Sequence, residues 1–99
     1  MEIDFKASLW KWSGQVAWFF ITLPEENYED IKQISSFMDK KSFGSVRVEV
    51  KIGKTSWQTS IFPDSKTKTY LLPVKREIRA NEGLKTGNKV RVSIKLATS

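Results

Sequence analysis

The side chains that could do chemistry in this chain are mostly charged ones. Seventeen lysines and arginines stand against eleven carboxylates, giving +6, and the 99 residues include no histidine and no cysteine. Without an imidazole, Ser-His-Asp and Cys-His arrangements are excluded. A zinc site of the usual nitrogen and sulfur ligands is excluded with them. The carboxylates that remain have simpler uses. Glu25, Glu26, Glu29 and Asp30 follow Pro24 at what reads as a helix start, where the helix dipole favours acids. Glu49 lies between Arg47 and Lys51 and balances charge on a solvated strand face. Asp64-Ser65 after Pro63 is turn chemistry. The five glycines are scattered and build no phosphate loop. Lys75 could act as a nucleophile, but nothing near it in sequence would lower its pKa. The expectation is a protein without catalytic residues, metal or cofactor, and so no enzyme.

Binding chemistry is better supplied. Arg47, Lys51, Arg91 and Lys95 occupy matching positions on two similar segments, and could share one outer face that contacts phosphates. The same four charges also suit a solvated face protected from edge aggregation. Lys75, Arg76, Arg79, Lys85 and Lys89 form a second basic cluster, an electrostatic footprint for nucleic acid or an acidic partner. Trp10, Trp12, Trp18, Phe19, Phe20, Trp57, Phe62 and Tyr70 interleave with basic residues, as on surfaces that stack single strands. A small domain also needs rings for its core, and core or helix-lid packing is the expectation for most of them. Trp10 and Trp12, beside a turn, are the expected exposed pair; an exposed apolar patch there would mark a protein-interaction module. A ligand cleft near Trp57 and Tyr70 is a further, weaker idea.

The elements that must position these residues are written twice. VRVEVKI (Val46 to Ile52) and VRVSIKL (Val90 to Leu96) are near copies, and each follows an apolar segment ending in Leu-Pro, at Leu23-Pro24 and Leu72-Pro73. Such repeats should be read before any single element. They imply two strand–short helix–strand halves, roughly 16–53 and 69–97, that pack as a pseudo-dimer within one domain, 1–99. Ile3, Phe5, Ala7 and Leu9 alternate with polar residues, the period of a half-buried strand. Val16 to Leu23 is apolar on almost every position, so it lies inside the sheet system or presents a contact face. Pro24 to about Asp39 reads as an amphipathic helix, with Tyr28, Ile31, Ile34 and Met38 or Phe37 as its stripe and Lys40 and Lys41 late. Phe43-Gly44-Ser45 ends the connection. A strand from Ser56 to Phe62 stops at Pro63. A short helix runs from Val74 to about Asn81 with Gly83 as its left-handed terminator. Gly87-Asn88 is a tight turn before the last strand. The fold class is mainly β with one or two short helices: a small double-split, pseudo-two-fold β-barrel of about seven strands.

A chain of this length buries roughly 65% of its unfolded surface, enough for one core. The absence of cysteine fits a reducing compartment. Neither a signal peptide nor a membrane span is visible, so a cytoplasmic monomer is expected.

Three blocks carry a resemblance: FKASLWKWSGQVAWFFITLP (5–24), VRVEVKIGKTSWQTSIFP (46–63) and YLLPVKREIRANEGLKTGNKVRVSIKL (70–96). Together they resemble the family known as domain of unknown function 1905, over about Ile3 to Leu96. That resemblance implies a small double-split barrel that serves as a module, and no established activity. The second half is also similar to the AbrB-type swapped-hairpin motif, through Leu72, Pro73, Lys75 or Arg76, Ile78, Arg79, Gly83, Leu84, Gly87, Asn88 and Val90. That similarity implies DNA contact by basic residues near the strand–turn junction. The first half departs from it, with Glu25 and Glu26 where the second has Lys75 and Arg76. The leading expectation is therefore a non-catalytic binding or interaction module of undetermined partner. Nucleic-acid binding through the basic residues is the second reading.

Overall fold

The computed structural model describes residues 1–37 and 44–96. Its elements, in chain order, are β1 (Glu2–Trp12), β2 (Trp18–Thr22), a 3-10 turn (Glu25–Asn27), α1 (Tyr28–Ser35), β3 (Val46–Ile52), β4 (Thr55–Asp64), β5 (Thr69–Pro73), α2 (Arg76–Glu82) and β6 (Lys89–Leu96). The strands pair antiparallel throughout and close into a barrel of order β1-β2-β5-β4-β3-β6. Exchanging β1 with β4, β2 with β5 and β3 with β6 returns the same cyclic order read in the opposite sense. A two-fold axis between the antiparallel neighbours β2 and β5 has this effect.

Six strands do the work expected of about seven because two of them serve both sheets. In β1, Glu2 to Ser8 pair with β6 and Leu9 to Trp12 pair with β2. In β4, Thr55 to Ile61 pair with β3 and Phe62 to Asp64 pair with β5. Where β1 changes partner, the turn before β6 keeps the backbone satisfied. Leu9 N–H donates to Asn88 O at 3.0 Å, and Leu9 O accepts from Gly87 N–H at 2.8 Å. Pro63 continues β4 instead of ending it. It lies past the last β4 pair with β3, Val46↔Ile61, where a missing donor interrupts no rung on that side.

Burial follows the period of two. Val46, Val48, Val50 and Ile52 face inward from β3, and Val90, Val92, Ile94 and Leu96 from β6. Leu9, Ile21, Ile61 and Leu72 complete the centre. Each such side chain contributes roughly 1.5–3 kcal/mol when fully buried. No helix among the described residues is long and apolar enough to cross a membrane.

Both helices differ from the sequence expectation at their ends. The first is shorter: a 3-10 turn precedes α1, which stops at Ser35. Ser35 Oγ donates to Lys32 O at 2.8 Å and Ser36 Oγ to Gln33 O at 2.6 Å, local bonds of the kind that compete with helix continuation. Ile31 is buried, with Tyr28 and Ile34 partly so, while Phe37 is exposed and leaves the apolar stripe. Met38, Asp39, Lys40, Lys41 and Phe43 lie outside the described residues. The second helix starts two residues late because Val74 N–H still donates to Phe19 O at 2.9 Å, extending the sheet past Pro73. It ends as expected, with Gly83 left-handed (φ 62°, ψ 35°). Leu84 N–H then reaches Arg79 O at 2.8 Å, the bond that closes a Schellman motif.

Helix α2 is tied to the β3–β4 hairpin. Thr55 Oγ1 donates to Glu82 Oε2 at 2.6 Å. Gly53 turns the hairpin at φ 58°, and a Cβ there would sit 1.9 Å from Glu82 Oε1. We therefore expect Gly53→Ala to lower the unfolding free energy by about 1–3 kcal/mol in urea titration, the range for a non-glycine residue held left-handed. In a Glu82→Ala background, which already lacks the Thr55 bond, the same substitution should cost less by its steric share.

Candidate functional site

The outer face of β1, β2, β5 and β4 carries aromatic and apolar side chains where solvent-facing strands are normally polar. Strand register assembles it. Trp12 opposes Trp18, Trp10 opposes Phe20, Phe20 opposes Pro73, and Leu71 is paired with both Thr22 and Phe62. Between them lies an open groove of about 620 Å³, whose lining also includes Pro63, Asp64 and Lys66. Trp12, Trp18 and Phe62 are 50%, 51% and 47% exposed. Strand β2 can be apolar on both sides because Ile21 fills the barrel while Trp18 and Phe20 line the groove.

The rings are held in place by one another and by the sheet. Trp10 Nε1 donates to Thr22 Oγ1 at 2.8 Å. The Trp10 and Phe20 rings lie 5.1 Å apart at 38°, and those of Trp18 and Phe20 lie 6.2 Å apart at 9°. Trp12 folds across Gly14, where a Cβ would come within 2.3 Å of the indole. The expectation that most rings serve the core is corrected here. Among the described aromatics only Tyr70 is fully buried, while Phe19 and Trp57 pack partly against the core. Trp12 is exposed as expected and Trp10 is half-buried, but Trp18 and Phe62 join the open face. The signal was present in the unbroken apolar run of β2, which needs something to cover its second side.

The basic residues are distributed differently. Lys75, Arg76 and Arg79 line a hollow of about 240 Å³ beside the groove, sharing Trp18 and Pro73 with it. Arg79 is already committed: its guanidinium lies 3.7 Å from the centre of the Phe19 ring and its Nε donates to Val74 O at 3.2 Å. Lys11 approaches the same ring at 5.9 Å. Lys85 and Lys89 sit around the turn before β6 and do not line that hollow. Lys85 N–H is bound there by Asn88 Oδ1 at 2.9 Å.

Arg47, Lys51, Arg91 and Lys95 are exposed on β3 and β6, on the part of the barrel away from the aromatic groove. Acids and hydroxyls intervene. Lys95 is opposite Glu49 on one side and Glu2 on the other, and Lys51 is opposite Ser93. Ser93 Oγ donates to Asp4 Oδ1, and Arg47 reaches Ser60 Oγ at 3.5 Å. Lys6 opposite Arg91 is a like-charged pair within this mixed surface.

Trp57 and Tyr70 do not meet in a cleft. Trp57 is on the β3 side of β4, opposite Val50, whereas Tyr70 is opposite Pro63, six residues further along that strand. Six residues of strand span about 20 Å. Trp57 Nε1 is buried without a hydrogen-bond partner among the described residues. The Tyr70 ring packs on Tyr28, with centres 5.6 Å apart. Burial pushes the Tyr70 phenol above its ordinary value, and a hydrogen bond with Ser35 partly opposes the rise.

With this geometry in view, comparison with known proteins adds one identification. The family model Domain of unknown function (DUF1905) matches residues 5–94, and the chain belongs to that family. No curated protein matches the chain significantly.

The Tyr70 environment predicts an alkaline weakness. Below the ordinary tyrosine value of 10.0 the phenol is neutral in both states, and stability is independent of it. Above that value the unfolded chain loses the proton first, so stability falls until the folded phenol ionises as well. Urea midpoints measured from about pH 9 to 11.5 should fall less steeply for Tyr70→Phe than for the unaltered protein.

Proposed function

We propose that this protein is a non-catalytic binding module whose contact surface is the aromatic face of β1, β2, β4 and β5. The observation that carries this reading is the side-by-side exposure of Trp12, Trp18 and Phe62 on one groove. Contiguous apolar surface of this kind is costly in water and marks interaction sites. The rings are fixed by the sheet and by the Trp10–Thr22 hydrogen bond, so little side-chain freedom is lost on binding. Tryptophan is among the residues that dominate contact energies at interfaces.

The lining also supports a role without catalysis. The chain has no histidine or cysteine, and the groove's carboxylate, Asp64, is occupied within its own hairpin. Its Oδ1 accepts from Lys66 N–H at 3.1 Å and its Oδ2 from Thr67 Oγ1 at 3.0 Å. That leaves no acid–base pair facing a bound molecule. The absence of cysteine supports action in a reducing cytoplasm, and we take the working unit to be a monomer.

Site-specific photocrosslinking in cells tests the surface. A benzophenone amino acid in place of Trp12 or Phe62 should give discrete adducts. The same group in place of Gln58, exposed on the other half of the barrel, should give none. Equal labelling from position 58 would show that the aromatic face is not the contact surface.

A further inference from the structure

We propose that the aromatic groove takes a short stretch of single-stranded nucleic acid, its bases stacked on Trp12 and Trp18 and its phosphates held by Lys66 at one end and Lys75 and Arg76 at the other. This rests on the reading of that face as the contact surface and adds the class of occupant. Charge complementarity carries the choice. Lys66 precedes β5 and Lys75 and Arg76 follow it, so cations flank the groove at both ends of one strand. Strand β5 has five residues, Thr69–Pro73, a length of about 13 Å between its terminal Cα atoms. Lys75 and Arg76 are exposed, and none of their side-chain atoms or that of Lys66 is hydrogen-bonded or ion-paired to another described residue. Among the described residues, the lining sets Lys66, Lys75 and Arg76 at its two ends against the carboxylate of Asp64, which accepts from Lys66 N–H and Thr67 Oγ1 within its own hairpin.

The exposed rings offer flat surface on which bases can stack. Trp12 and Trp18 are about half exposed, while Trp10 is anchored through its indole N–H to Thr22. Every base has a face to stack on such a ring, which makes this recognition tolerant of sequence. A duplex hides those faces within its own stack, so the groove distinguishes single strands from double ones. The mixed-charge surface of β3 and β6 plays no part.

The test is fluorescence anisotropy with labelled oligothymidylate of about fifteen nucleotides, the same length as an abasic strand, and a duplex of that length. The single strand should bind most tightly. Trp12→Ala and Trp18→Ala should each weaken binding about tenfold. Lys75→Ala and Arg76→Ala should each flatten the dependence of log affinity on log salt by about 0.7. These side chains are exposed, and thermal unfolding of each variant checks that the barrel is intact. Equal affinity for the abasic strand or the duplex would overturn the proposal, as would unchanged affinity in the tryptophan variants. So would no binding to any strand at low salt. In that case, tryptophan quenching by a proline-rich decapeptide, or self-association lost in Trp12→Ala, would leave the aromatic face standing with a different occupant. Loss of face-specific crosslinking would remove the face itself.

Discussion

A six-stranded barrel has a narrow interior, and that limit governs what the rest of the chain must do. Small barrels are filled by side chains, with no room left for a ligand. Here the filling is β-branched and aliphatic: valines and isoleucines from β3 and β6, with leucines and isoleucines from the other strands. Rings as large as indole fit at the ends or outside. Phe19 sits under Arg79, Tyr70 packs against Tyr28 of α1, and Trp10, Trp12, Trp18, Phe20 and Phe62 stay on the outer wall. The aromatic groove is thus a product of the same packing limit that makes the core compact.

The backbone is close to symmetric while the surface is not. Each half contributes a hairpin followed by a helix: β1–β2 before α1, and β4–β5 before α2. The first hairpin carries Trp10, Trp12, Trp18 and Phe20. The second carries Asp64, Lys66, Thr67 and Thr69, knitted together by bonds from Asp64 and by the Thr67–Thr69 contact at 2.6 Å. Both hairpins line the groove, but the tryptophans come from the first and the hydrogen-bonded polar tip from the second. The helices differ as well, with acids at the start of α1 and Lys75-Arg76 at the start of α2. The two halves fill the core alike and differ in what they show to solvent.

The architecture was legible because it rests on periodicity. The VRVEVKI and VRVSIKL segments alternate so strictly that their inward and outward faces could be assigned residue by residue. Gly83 could be placed because few residues other than glycine end a helix left-handed. Three things were harder to read. Which rings stay outside was open, with core or helix-lid packing expected for most, since hydrophobicity says that a ring prefers burial but not whether the barrel has space for it. The change of partner within β1 and β4 leaves no mark on the alternation, because a strand keeps its period when its neighbour changes. Arg79 looked like a free cation, and only the fold shows the phenylalanine beneath it. The matching positions of Arg47, Lys51, Arg91 and Lys95 were visible in the repeat, whereas Glu2 and Asp4 beside them come from a strand far away in sequence.

The position of β6 has a consequence for how the protein is made. It is the last of the described elements in the chain, yet it lies between β1 and β3 and pairs with both. Ribosomes deliver the chain from β1 onward, so both partners wait with an unpaired edge until β6 emerges. The barrel closes only then, when sequence-distant pairings such as Glu2 with Lys95 can form. A chain that stops short of β6 leaves the edges of β1 and β3 uncovered, the kind of surface that chaperones retain and that nascent chains share with one another.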